Sequence, residues 1–372
     1  MTYTGTQIEL DLEKIENRLE KPDWPLLIAG PCSAESEEQL MDTAVQLMNT
    51  KRVSIYRAGL WKPRTRPNMF EGVGKVGLPW LLNVKKQTGL QVATEVATPE
   101  HVELALKHDI DVLWIGARTS VNPFSVQAIA DALKGTNATV LVKNPVNPDL
   151  QLWIGALERI NRVGIKRLAA VHRGFSSHEK TVFRNAPMWN IPIELKAACP
   201  GLPVICDPSH ICGNAGLIPM LAQKALDMDM AGLMIECHNK PECAMSDAGQ
   251  QLLPTQYGNM IRNLILRSAS PAGDAADAGG LLRQLREEID VFDDELIQKL
   301  SLRMQAVAKI GRYKRDNNIS ILQLHRWSEL VRRRIDLGQA LGLSEDFLKK
   351  LLDLIHQESI NIQVEIMNKE KY

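Results

Sequence analysis

Short apolar runs recur at similar intervals over the first two-thirds of the chain. They are "LLIAGP" from position 26, "VSIYRA" from 53, "QVATEV" from 91, "VLWIGA" from 112, "TVLVKN" from 139, "RLAAVH" from 167, "PVICDP" from 203 and "GLMIEC" from 232. These runs are nearly continuous rather than alternating, as expected of parallel strands covered on both faces. Between them, "EEQLMDTAVQLMNT", "PEHVELALKHD", "SVQAIADALKG" and "LIPMLAQKALDM" read as helices. Eight strand–helix units within about 250 residues predict a (β/α)8 TIM barrel. A doubly wound open sheet is the alternative, and the even recurrence favours closure. "GVGKVG" at 72–77 fits G-x-G-x-x-G, but no strand leads into it and no helix visibly opens on it. It is read as a loop, not as a nucleotide site.

From Leu281 the pattern is helical. "LLRQLREEIDVFDDELIQKLSLRMQAVAKIGRYKRD" lacks Pro and places apolar residues at 285, 289, 292, 296, 300, 307 and 310. A continuous helix there would be about 54 Å long at 1.5 Å per residue, more than the remaining chain can cover. It should find a partner, most simply in a dimer. Shorter helices are expected at about 325–341 and 344–368. "SASPAGDAADAGG" at 268–280 is nearly all small residues and reads as a flexible linker. The chain is therefore read as α/β plus all-α: a barrel domain at 1–267, a linker at 268–280 and a three-helix domain at 281–372.

Lys+Arg and Asp+Glu balance at 44 each, which argues against a general nucleic-acid binder and requires any anion site to be local. No run reaches membrane-spanning length, and the acidic N-terminus is no secretory signal. Six cysteines without paired-zinc spacing suggest free thiols in a reducing cytoplasm.

Active sites of such barrels lie at the C-terminal ends of the strands. Those ends carry Cys32, Arg57 with Lys62 and Arg64, Glu95, Arg118, Lys143, His172 with Arg173, Asp207 with His210, and Glu236 with His238. Cys32, His210, Glu236 and Asp247 have the character of ligands for a borderline divalent ion of the Mn, Fe, Zn or Co type. Arg57, Lys62, Arg64, Arg118, Lys143 and Arg173 would repel one another without anions, and Arg forks suit phosphate and carboxylate. The residues point to a metalloenzyme acting on two small, multiply anionic substrates.

In the helical segment the apolar stripe runs on into cations. Arg303 and Lys314 are eleven residues apart, about 20° in azimuth at 100° per residue, on the face expected to be buried. Buried unpaired charges are costly, so the face asks for an anion. Ser359 and Gln363 share one face of the last helix, whereas "RRR" at 332–334 reads as a solvated face.

The segment from about 20 to 265 resembles the 3-deoxy-D-arabino-heptulosonate 7-phosphate (DAHP) synthases. The resemblance rests on "IAGPCSAES", "IYRAGLWKPRTRPNMFEG", "WIGARTS", "VLVKN", "HRG", "PVICDPSH" and "GLMIECHNKPECAMSDAGQ". It implies metal ligation by Cys32, His210, Glu236 and Asp247, and phosphoenolpyruvate held by Arg57, Lys62, Arg118, Lys143 and Arg173. Arg64 and Thr65 would hold the phosphate of erythrose 4-phosphate, with His238 a further substrate contact and Lys62 a catalytic group. The metal would polarise the aldehyde for attack by the enol carbon. The chain departs from the family pattern at His172, where an acid is expected, and in "NPVNP" after Lys143, where an Arg-Gly pair is expected. The rival family is 3-deoxy-octulosonate 8-phosphate synthase, which takes arabinose 5-phosphate; "KPRT" favours the four-carbon sugar.

The segment 281–367 resembles the all-helical chorismate mutases, through "LRxxID", "LxxRM", "IGxYK", a late Arg and Ser-x-x-x-Gln. This implies an intertwined homodimer that converts chorismate to prephenate. Arg303 and Arg326 would bind carboxylates, Arg286 would reach in from the other subunit, and Lys314 and Gln363 would donate to the ether oxygen. Gln323 and Ser359 are further contacts, and Trp327 stands where Glu is common. The two activities would not be successive steps, so a ligand of the helical domain is expected to regulate the barrel. The alternative is a helical domain that only binds and dimerises.

Overall fold

The computed structural model describes residues 7–15, 24–64, 68–178, 181–267, 276–322 and 324–368, with backbone alone for 276–279 and 324–328. The chain divides into two compact units, Met1–Ala269 and Ser270–Tyr372. No described helix is long and apolar enough to cross a membrane.

All eight apolar runs of the first unit form strands: β1 Leu26–Gly30, β2 Ile55–Arg57, β3 Gln91–Val96, β4 Val112–Ile115, β5 Thr139–Lys143, β6 Leu168–His172, β7 Val204–Cys206 and β8 Gly232–Glu236. Every neighbouring pair is parallel, and the sheet closes in sequence order. Closure comes from β1 against β8, in register from Leu26↔Gly232 to Gly30↔Glu236, which excludes the open sheet. This register sets the turn carrying Cys32 beside Glu236.

The barrel helices are α1 Glu37–Met48, α2 Gly77–Thr88, α3 Pro99–Lys107, α4 Pro123–Leu133, α5 Leu150–Arg162, α6 Asn190–Ala198, α7 Pro208–Cys212, α8 Ile218–Asp227 and α9 Pro254–Asn263. Ser36, Thr98, Asn122 and Asp149 cap α1, α3, α4 and α5, each accepting a backbone N–H of the first turn. One apolar cluster fills the barrel and includes Ile28, Trp114, Leu141 and Met234; a larger one lies between strands and helices. Ile15, from a segment bonded to the barrel through Ile8 N to Ala198 O and Glu13 N to Lys166 O, joins the interior cluster.

"GVGKVG" requires a correction. A 3-10 turn at Gly74–Val76 leads into α2, so a helix does open on this stretch. Its glycines and Pro79 hid the start, since neither residue favours a helix interior. No strand enters it, because β2 ends at Arg57.

The second unit consists of α10 Ala276–Asp316, α11 Leu324–Ala340 and α12 Glu345–Asn368. α10 starts within the stretch read as linker, since Ala276 and Ala278 are good helix formers. It has 41 residues, about 62 Å. Of its apolar stripe Val307 is buried, but Leu285, Ile289, Phe292, Leu296 and Ile310 are 46–57% exposed. α11 and α12, with 17 and 24 residues, are too short to cover it within one chain. Gly311 allows α10 to approach α12 closely: a Cβ there would lie 3.2 Å from Gln363 Cγ and from Ile366 Cδ1.

Candidate active sites

The ionisable groups at the strand ends of the barrel form a connected network. Cys32 Sγ donates to Asp247 Oδ2 at 3.2 Å. Ligand atoms of Cys32, Glu236 and Asp247 all lie within 4.8 Å of one another. The fourth expected ligand, His210, lies outside that trio, with its Nε2 3.7 Å from Glu236 Oε1. His210 is oriented by Asp207, which caps α7 by accepting from His210 N at 3.1 Å and sets Oδ2 2.8 Å from His210 Nδ1.

A thiol, an imidazole and two carboxylates are a fitting donor set for a borderline divalent cation. Burial, with the Glu236 carboxylate second, pushes the Cys32 thiol up to about 12. A thiolate there needs a compensating cation. Buried Glu236 Oε1 has no hydrogen-bond partner among the described residues, although Arg57 Nη2 lies 3.2 Å away. Both observations fit a metal.

The cations surround this cluster. Lys62 Nζ contacts Cys32 Sγ, donates to Cys32 O at 3.2 Å and lies 3.9 Å from Asp247 Oδ2. Arg57 is 1% exposed, stacks over Trp114 at 4.7 Å and leaves buried Nε and Nη1 without partners among the described residues. Lys143 Nζ donates to Asp207 Oδ2 at 2.8 Å, with the Trp114 ring 5.8 Å away. Arg173 donates from Nη1 to Asn185 Oδ1 at 2.8 Å, and burial lowers its guanidinium to about 10. Arg64 donates to Phe70 O at 2.8 Å, and Arg118 is exposed. Arg57 and Lys143 thus have carboxylate partners, Glu236 and Asp207, so the cations do not form the uncompensated set expected from sequence. His238 is buried and braces two loops: Nδ1 accepts from Lys240 N at 2.9 Å, and Nε2 faces Glu35 Oε2 at 3.4 Å. Thr65 lies outside the described residues.

The two departures from the family pattern take structural roles. Asn144 Oδ1 accepts from Arg173 N at 2.7 Å, and Nδ2 donates to Gly174 O at 2.9 Å, pinning the loop that bears Arg173. His172 packs against Phe175 and Trp189, and burial, with Arg173, lowers its imidazole to about 3.

In the helical unit Arg303 Nη1 donates to Ser359 Oγ at 2.7 Å, and Lys314 Nζ donates to Ile321 O at 2.6 Å. Gln363 Nε2 donates to Ser359 O at 3.0 Å, while buried Gln363 Oε1 has no partner among the described residues. No described carboxylate pairs with Arg303 or Lys314, so bundle salt bridges do not account for them. Arg286 is exposed on α10. Gln323 and the side chains of Arg326 and Trp327 lie outside the described residues.

The profile of the DAHP synthetase I family matches residues 14–265. The chain belongs to the DAHP synthetase I family. It also carries a chorismate mutase type II domain, matched over 285–364. A phospho-2-dehydro-3-deoxyheptonate aldolase of Thermotoga maritima is 32% identical over 226 residues, 61% of this chain and 64% of the relative's length. A 2-dehydro-3-deoxyphosphooctonate aldolase of a Bradyrhizobium species is 29% identical over 273 residues, 68% of this chain and 91% of that one. A crystal structure of the Thermotoga DAHP synthase superposes with a TM-score of 0.58 at 30% identity, covering 64% of this chain and 67% of its own.

Sequence reasoning missed several groups that bind this network together. Gln250 Nε2 donates to Glu236 Oε2 at 2.7 Å, Gln251 Oε1 accepts from Cys32 N at 3.0 Å, and Ser209 Oγ accepts from Glu236 N at 2.9 Å. Arg184 reaches Asp247 from the loop after β6. Two of these, Gln250 and Ser209, lie in quoted family motifs, but none is an ionisable group at a strand end, the signal used to find the others.

Proposed function

We propose that the barrel condenses phosphoenolpyruvate with erythrose 4-phosphate and water to DAHP and phosphate, and that the helical unit rearranges chorismate to prephenate. The observation that carries the first reading is the Cys32–Glu236–Asp247 cluster, with His210 beside it, set among Arg57, Lys62, Lys143 and Arg173. Cys32, His210, Glu236 and Asp247 would hold a divalent ion, which when bound would supply Lewis acidity toward the aldehyde oxygen. Arg57, with two unused buried donors, Lys143, Arg173 and Arg118 would take the phosphate and carboxylate of phosphoenolpyruvate. Arg64 with Thr65 would take the sugar phosphate. Lys62, against the thiol, would serve as the catalytic group that moves a proton.

Arg303 and Lys314, without carboxylate partners, suit a dicarboxylate, and Gln363 would donate to the developing ether oxyanion. That rearrangement is helped by holding the compact conformer and needs no acid or base. The exposed apolar face of α10 supports an intertwined homodimer in which Arg286 of one chain completes the site of the other. We place the protein in the cytoplasm and assign prephenate, bound in the helical unit, as a feedback inhibitor of the barrel.

Full-length protein should consume phosphoenolpyruvate with erythrose 4-phosphate only when a divalent metal is present. Turnover with arabinose 5-phosphate instead would favour the octulosonate reading, which the Bradyrhizobium relative's name keeps in view. Prephenate should slow the synthase, and Arg303→Ala should abolish that effect; inhibition that survives the substitution refutes the assignment of the inhibitor site.

A further inference from the structure

The loop between β6 and α6 brings Arg184 and Asn185 to the cluster. Arg184 Nη1 donates to Asp247 Oδ1 and to Gln250 Oε1, each at 2.8 Å. Gln250 passes the contact on to Glu236. One guanidinium thus reaches two of the clustered ligand candidates, Asp247 directly and Glu236 through an amide.

The dipeptide is itself fixed to α7, which carries His210. Asn185 Nδ2 donates to His210 O at 2.7 Å, Asn185 N to Ile211 O at 3.1 Å and Arg184 N to Cys212 O at 3.3 Å. Gly213, in the left-handed region at φ +63°, leaves room for the Arg184 stem: a Cβ there would lie 2.5 Å from Arg184 Cβ and 2.9 Å from its Cδ. Asp247 also sits in the left-handed region, at φ 51° and ψ 37°, a conformation that its surroundings must hold in place.

We propose that Arg184 is a positioning residue for the metal centre: it orients Asp247 and, through Gln250, Glu236, and Gly213 is the space that admits it. The inference rests on the metal reading above. The competing explanation is a surface ion pair, since the Arg184 side chain is 49% exposed, and such pairs contribute about 0–1 kcal/mol. The two differ in what they do to a bound ion. Outer partners of metal ligands typically change affinity by about 10- to 100-fold, whereas a surface pair should leave it unchanged.

The test is a Co(II) titration of full-length, chelator-stripped protein, following the thiolate-to-cobalt absorption that reports Cys32 coordination. The set is wild type, Arg184→Gln, Arg184→Lys, Gly213→Ala and Cys32→Ser, with melting of the metal-free proteins as the folding control. Arg184→Gln should weaken Co(II) binding by about 10- to 100-fold at unchanged metal-free melting, with Arg184→Lys in between. Gly213→Ala should weaken it as well, with a lower metal-free melting because alanine is strained at this positive φ. Wild-type affinity in Arg184→Gln overturns the proposal. So does weakening by Gly213→Ala alone, which would place the effect in the end of α7. A wild type without the thiolate band, indistinguishable from Cys32→Ser, removes the metal reading and the proposal with it.

Discussion

Asp207→Asn tests the architecture of the barrel site most directly. Asp207 is fully buried and serves three contacts: Oδ2 accepts from Lys143 Nζ at 2.8 Å and lies 2.8 Å from His210 Nδ1, and Oδ1 caps α7. Burial alone would raise its pKa, but the charges of His210 and Lys143 outweigh that and hold it well below the usual carboxylate range. Asn keeps the shape and a capping oxygen but removes the charge. Lys143, 4% exposed, is left with a buried ammonium and the Trp114 ring 5.8 Å away. That ring offers about 0.5–2 kcal/mol, whereas breaking a buried pair by removing one partner costs about 3–5 kcal/mol. At about 2–4 °C per kcal/mol for a domain of this size, the barrel transition should fall by about 6–20 °C in scanning calorimetry of the full chain.

The companion variant decides the cause. Replacing a whole buried pair by neutral groups is often nearly neutral, so Lys143→Met added to Asp207→Asn should recover most of the loss. A double variant that melts as low as the single one would show that the loss is not the stranded ammonium, and would shift the explanation to the cap of α7.

Three further outcomes follow from individual groups. Cys32→Ala should remove metal-dependent synthesis while chorismate turnover stays at the wild-type rate, both read on the full chain; retained synthesis would dismiss Cys32 as a ligand. Gln363→Ala should lower chorismate turnover by about 10²–10³-fold, the cost of a lost oxyanion donor, with the synthase unaffected. His172 is held at about 3 against an ordinary value of 6.5, so the unfolded chain binds more protons in that window. Stability should therefore be lost as pH falls from about 6.5 toward 3, by up to about 1.4 kcal/mol per pH unit, and His172→Leu should flatten this slope in acid melts.

How much was legible in the sequence depended on whether a residue's role follows from its own neighbourhood. The strands could be read because a parallel strand covered on both faces is apolar along its whole length, as in "LLIAG" and "GLMIE". The placement of Cys32, Lys143, His210 and Glu236 at one end of the barrel could be read because each ends a strand or follows one within a few residues. Arg303 and Lys314 could be read because three turns bring residues eleven apart to one face, and Arg303 does reach Ser359 there. Arg184 lies twelve residues beyond β6 in an irregular loop, where no period indicates what a side chain meets. Nor does any local signal pair Lys143 with Asp207, 64 positions away, or make Asn144 a brace for Arg173; such partners are set by the closure of the barrel. α2 was hidden for a local reason, a glycine-rich start followed by proline.

The charges in the barrel also show how a chain of zero net charge can attract polyanions. Glu236, Asp207 and Asp247 are each engaged by a cation, Arg57, Lys143 and Arg184. Lys62, Arg64 and Arg173 have no carboxylate at hydrogen-bond distance among the described residues, so positive charge is in excess around the cluster. A divalent cation would enlarge that excess, and a phosphoenolpyruvate anion would offset it. Metal and phosphoenolpyruvate should therefore bind cooperatively. Couplings between sites are typically about 1–3 kcal/mol, or about 5- to 150-fold, and must be reciprocal. Calorimetric titration of phosphoenolpyruvate into the full chain, with and without Mn(II), should show tighter binding with the metal, and Mn(II) affinity should rise by the same factor when the ligand is present. Equal affinities in both titrations would mean that the cations are already neutralised within the protein, and the anion-cradle reading of Arg173 and Lys62 would fall.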